Sequence, residues 1–169
     1  MSHEIDLVAE EIRALLRERP VSDCARELCG IVNRMLTDDG FVLRHLPDRA
    51  EGEHPREVLY EDPDLGFCIC GHVYEGPAES GPHDHGSSWA IYGQATGETE
   101  MTDWKIVQQG EGDTASLVEP VRTYLLRRGD AHFYDIGAVH SPKRESSTRL
   151  IRIEGANLDH VQRSNIRAK

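Results

Sequence analysis

Gly81-Pro82-His83-Asp84-His85-Gly86-Ser87-Ser88-Trp89 is the stretch on which the reading of this chain turns. Two histidines stand one residue apart in an extended context punctuated by glycine and proline. Strand side chains alternate faces with period two, so His83 and His85 point one way and Asp84 the other. Two imidazoles aimed at one spot offer a divalent metal two ligands, and two are short of a site. Without a third they are surface histidines on a strand.

Downstream runs Gly129-Asp130-Ala131-His132-Phe133-Tyr134-Asp135-Ile136-Gly137-Ala138-Val139-His140. A glycine turn opens a short strand, a second glycine turn closes it, and a histidine opens the next. Together the two stretches resemble the paired motifs of the cupin superfamily, which are small double-stranded β-helix barrels. The glutamate of the first cupin motif falls on Ala90 and its closing glycine on Gly97. Gly129, Gly137 and His140 fill the second motif, with Asp135 where a proline is usual. The ligand set the resemblance implies is His83, His85 and His140, with no carboxylate.

Within the cupins, Arg56 to about Ile153 is similar to the cysteine dioxygenase family, including bacterial members acting on other small thiols. The similarity is carried by the HDH pair, by Gly97-Glu98-Thr99 leading to Asp103-Trp104, and by Ile136-Gly137 before His140. It implies Fe²⁺ on three histidines, dioxygen as co-substrate and a thiol oxidised to its sulfinate. It also implies an arginine upstream of the HDH strand, here Arg56, whose guanidinium pairs with the substrate carboxylate. Zn²⁺, Ni²⁺ or another divalent ion suits the same ligands. Two departures stand out. The family's Ser-x-His-x-Tyr run is replaced by Arg149-Leu150-Ile151-Arg152-Ile153-Glu154, and the crosslinking cysteine of animal members is Ala90. Arg152 and Glu154 are read as a surface ion pair, with Arg152 also a pocket candidate. His72 and Tyr74 are further candidates if their strand face lines the barrel. Trp89 is counted with them, although packing is its simpler role. His132 is expected to serve structure rather than the metal.

The rest of the chain fits one domain. Ile5, Val8, Ile12, Leu15 and Leu16 recur at helical spacing up to Pro20. Ser22 is a candidate N-cap for a second helix bearing Leu28, Ile31, Val32, Met35 and Leu36. After Gly40 come short blocks of β-branched and aromatic residues between turns, among them Phe41–Leu46, Arg56–Tyr60, Ala115–Val118 and Val121–Arg127, with a polar loop at Asp48–Pro55. The expected organisation is a helical segment at 1–40, a barrel at 41–156 and an exposed tail at 157–169. The fold class is mainly β, a cupin jelly-roll barrel with two N-terminal helices.

Composition limits the partners. A net charge of −11, from 19 basic against 30 acidic residues, disfavours nucleic acid or an anionic membrane. The first residues lack a basic stretch followed by an apolar one, which speaks against a signal peptide. Cys24, Cys29, Cys68 and Cys70 are read as reduced, buried thiols, so the location expected is cytoplasmic. The partners expected are a small molecule and dioxygen. A metal- or ligand-binding cupin without turnover, or another cupin reaction such as C–C cleavage or isomerisation, is the alternative.

Overall fold

The computed structural model describes residues 3–50 and 52–169; Met1 and Ser2, in the expected helical segment, and Glu51, in the expected polar loop, lie outside them. The helical spacing at the N-terminus becomes α1 (His3–Glu18) and α2 (Val21–Thr37). Helix α2 begins one residue before Ser22, with Pro20 at the N-cap and no side-chain capping bond, so Ser22 is not the cap. A third helix, α3 (Asp39–His45), stands where a strand was expected at Phe41–Leu46. The Asp38 side chain accepts the Phe41 N–H at 3.0 Å, and this cap outweighs the β propensity of Phe41 and Val42, which become core residues.

Ten strands follow in chain order. They are β1 (Arg56–Glu61), β2 (Cys68–Tyr74), β3 (Ala78–Glu79), β4 (Ala90–Thr96), β5 (Thr99–Gln108), β6 (Ser116–Leu126), β7 (Ala131–Tyr134), β8 (Val139–Arg144), β9 (Thr148–Glu154) and β10 (Ile166–Ala168). One sheet has the order β1-β2-β9-β4-β7 and the other β10-β6-β5-β8-β3. From β4 onward the chain alternates between sheets: β4, then β5 and β6, then β7, β8 and β9. That winding is the double-stranded β-helix of a cupin-type barrel with helices at its N-terminal side.

Alternation divides the first sheet into two faces. Ile69, Val73, Ile91, Ile151 and Ile153 pack with Leu28, Val32, Met35 and Leu36 in one core beneath the helices. Each such fully buried aliphatic contributes about 1.5–3 kcal/mol. The opposite face, including Ala90 and Tyr92, turns inward and packs with Met101, Leu126 and Tyr134. The two blocks expected at Ala115–Val118 and Val121–Arg127 are one strand, β6, which runs through Pro120. The β5–β6 register shifts between Asp103 and Trp104, which pair with Arg122 and Pro120, so Val121 of β6 is left over beside the proline that cannot donate to the ladder.

The C-terminal segment is largely exposed and yet carries regular structure. Asn157 caps a 3₁₀ turn at Leu158–His160, and β10 pairs in parallel with β6. No helix among the described residues is long and apolar enough to cross a membrane. All four cysteines are free; Cys24, Cys68 and Cys70 are buried and Cys29 half-buried.

Candidate metal centre

Two of the three histidines are brought together by main chain. His83 and His140 form an isolated antiparallel bridge, each N–H donating to the other's carbonyl at 3.0 Å. The loop before β4 is thereby locked to the first residues of β8. His85 comes from the same loop by alternation, and its ring centroid lies 4.7 Å from that of His140. Ligand nitrogens of His83, His85 and His140 all lie within 4.8 Å of one another. Imidazole nitrogens sharing an ion at metal–nitrogen distances of 2.0–2.1 Å stand ~3–4 Å apart, so modest ring rotation closes the triad.

The donor set fits a divalent ion. Burial disfavours the imidazolium form at all three positions: His83 is held down to about 4 and His140 to about 2, and His85 is also strongly lowered. Neutral imidazole is the ligating form. The Nδ1 of His83 contacts the Gly81 carbonyl at 2.9 Å, and that of His140 contacts Ala138 at 3.2 Å. A carbonyl only accepts, so Nδ1 donates there and Nε2 keeps its lone pair for a metal. Asp84 points away and braces the loop, accepting N–H bonds from Gly86 and Ser164 at 3.0 Å each.

Tyr92 is the residue that sequence reasoning passed over. Its hydroxyl lies 3.0 Å from His85 Nε2 and 3.3 Å from His140 Nε2. The signal was available: Tyr92 follows Ala90 by two on a strand, so it faces inward with that vacated glutamate position. Burial raises its pKa, which keeps the phenol protonated. Tyr134 was missed as well. It stacks on His140 at 4.1 Å between centroids and shares a 2.7 Å hydrogen bond with the Tyr124 hydroxyl.

A cavity of about 340 Å³ opens beside the triad, lined in part by Arg56, His72, Tyr74, His83, Tyr92, Arg144 and Arg152. His72, Tyr74 and Arg152, counted above as pocket candidates, are among its lining residues. Trp89 does not line it; it sits in the helix-side core near Phe133, because its odd position faces away from Ala90 and Tyr92. His132 is outside the triad, 4.7 Å from the Tyr134 ring. Arg152 and Glu154 are not a surface pair: they are 8% and 0% exposed, and the guanidinium lies 4.0 Å from the centre of the Tyr92 ring.

Arg56 reaches the cavity already engaged. Its Nε and Nη2 donate to the two Glu154 oxygens at 3.4 and 2.8 Å, Nη2 also to Asn157, and Nη1 to Asp159 at 2.7 Å. The carboxylate-pairing edge expected to meet substrate is filled by the protein's own Glu154. Sequence spacing could not show this, since Glu154 is 98 residues away.

No family profile matches the chain, and no curated protein matches its sequence. Solved structures do resemble it in shape. A double-stranded β-helix protein of Klebsiella pneumoniae is 17% identical, with a TM-score of 0.47 over 69% of this chain and 89% of that one. A cupin superfamily protein of Desulfitobacterium hafniense is 10% identical, with a TM-score of 0.46 over 65% and 84%. The Schizosaccharomyces pombe Cnp3 cupin domain is 12% identical, with a TM-score of 0.46 over 60% of this chain, which spans 64% of that one. None of these likenesses bears on what the chain does.

Proposed function

We propose that this chain is a mononuclear non-haem iron dioxygenase of a small anionic substrate, a thiol carboxylate converted with dioxygen to its sulfinate. The observation that carries this reading is the triad of neutral imidazoles, His85 and His140 buried and His83 half-buried on the wall of a cavity lined by several guanidiniums. Divalent iron held by His83, His85 and His140 would supply the redox chemistry of oxygen transfer. Three neutral ligands leave the ion its full positive charge, which favours a thiolate over a thiol.

The chain's own residues do the rest. His83 and His140 are oriented through Nδ1, and the bridge between them fixes their spacing. Tyr92 holds a proton on its hydroxyl beside two of the ligand nitrogens, positioned to donate to an oxygen or sulfur of a bound substrate. The cavity guanidiniums draw an anion inward from a protein that is otherwise strongly acidic.

The test is oxygen uptake by anaerobically iron-loaded protein given cysteine, 3-mercaptopropionate or mercaptosuccinate, with a diketone as control and mass spectrometry of products. Uptake with a thiol and a product heavier by two oxygen atoms is expected. Uptake with the diketone alone would replace the thiol reading with C–C cleavage. Tight metal binding with no uptake on any compound would leave a binding barrel without turnover.

A further inference from the structure

The cavity beside the triad is built from both sheets. His72 and Tyr74 come from β2, Tyr92 from β4 and Arg152 from β9, while Arg144 comes from β8 in the opposite sheet. Arg144 is 4% exposed, with its guanidinium carbon 4.2 Å from the centre of the Tyr74 ring. Its Nε and Nη2 are buried and have no hydrogen-bond partner. A buried charge left in that condition is costly, and such groups are ordinarily paired.

The chemistry of the unfilled atoms is specific. Nε–H and Nη2–H lie along one edge of the guanidinium, the edge that grips both oxygens of a carboxylate. The filled version is in the same cavity, where Arg56 presents its Nε and Nη2 to Glu154. Arg152 leans on that same Glu154 at 3.4 Å. Arg56 and Arg152 thus share the one buried carboxylate, with the largely exposed Asp159 on Arg56 as well, and Arg144 is left without either; Arg163 and the exposed Glu79 also line the cavity. His72 is 3% exposed, and both of its ring nitrogens lack partners. Burial and the surrounding arginines hold it neutral, so it offers one donor and one acceptor.

We propose that the cavity contains a carboxylate subsite in which the Nε–Nη2 edge of Arg144 grips the ligand's carboxylate, Arg152 adds charge across the cavity, and His72 takes an adjacent polar group. This subsite rests on reading the cavity as the substrate chamber, but it needs neither the metal nor the oxidation to be observed. It assigns the ligand-binding fork to Arg144 and leaves Arg56 to hold Glu154 in place.

Metal-free protein is the sample for the test. Propionate and succinate are titrated calorimetrically, with propionamide as the uncharged isostere of propionate. Saturable binding of the carboxylates and none of propionamide is expected, with a matching rise in melting temperature. Arg144→Gln should weaken carboxylate binding about ten- to a hundredfold, and Arg144→Lys should recover little, because an ammonium lacks the fork. Circular dichroism establishes that each variant is folded; if Arg144→Gln is not, Arg144→Lys, which keeps the buried charge, decides the matter. Wild-type affinity in the folded variants, equal binding of propionamide and propionate, or no saturable carboxylate binding by the wild type would each overturn the subsite. Turnover does not enter these measurements, so failure of the dioxygenase reading leaves their outcome unchanged.

Discussion

At the residue scale, the site depends on which nitrogen of each imidazole is free. The Nδ1 bonds of His83 and His140 to backbone carbonyls settle that before any ion arrives. His140→Ala should therefore lower metal occupancy sharply in a protein that still shows the β-rich circular dichroism of the wild type. His132→Ala, outside the triad, should keep it; metal analysis after anaerobic loading reads both. Tyr92→Phe separates chemistry from binding. It removes only a hydroxyl, so occupancy should hold while turnover on an accepted thiol falls on the order of a hundredfold, as when a positioned proton donor is lost. An unchanged turnover number would reduce Tyr92 to packing against Arg152 and Tyr134.

At the element scale, two contacts fasten the helices to the barrel. Helix α2 lies so close to β4 that a Cβ on Gly93 would meet Val32 Cγ1 at 2.4 Å and Leu36 Cδ1 at 2.8 Å. Gly93→Ala should therefore cost about 1–3 kcal/mol in chemical denaturation, the usual range for overpacking. Helix α1 is tied to the β1–β2 turn through Asp62, whose side chain is fully buried and accepts from Arg13 at 2.8 Å and from the Leu65 N–H at 2.7 Å. Burial works to raise the Asp62 pKa, but those bonds and the Asp64 N–H outweigh it, and the net shift is downward. A carboxyl held lower in the folded state than in the unfolded one stabilises fully above the unfolded value, near 3.8. That contribution is lost as pH falls through the folded value. Asp62→Asn should cost on the order of 3 kcal/mol at pH 7. The gap between variant and wild type should close on acidification below the unfolded value, as followed by melting temperature against pH.

At the scale of the whole molecule, the C-terminal segment belongs to the site's support. β10 extends the second sheet beside β6, and the Ser164 N–H reaches Asp84 between the two ligands of the loop. Gly86 sits against the same segment, where its φ of 58° and a would-be Cβ 2.2 Å from the Gln162 carbonyl oxygen leave room for glycine alone. Deleting residues 161–169 should lower the melting temperature by about 2–8 °C, corresponding to ~1–2 kcal/mol for a chain of this size. Metal affinity should weaken with it, measured by competition with a chelator. A truncated protein that binds metal as tightly as the whole chain would detach this segment from the site.

The local pattern by itself determined the β-rich architecture, the two first helices and the inward face shared by His83 and His85, because periodicity and turn residues act over a few positions. Alternation also carried His72 and Tyr74 to the cavity wall, and it could have carried Tyr92 there from Ala90. Only the tertiary structure decided that Arg56 is occupied by Glu154, that Arg152 is buried, and that Arg144 faces the same cavity with an unfilled edge. Those outcomes depend on which strands become neighbours and which carboxylate arrives within reach. Partners separated by 98 residues of chain leave no mark in the spacing of either one. The same holds for the segment after Asn157: its polar composition describes an exposed strip, and its place beside β6 is set by hydrogen bonds to a strand edge that lies far away in the sequence.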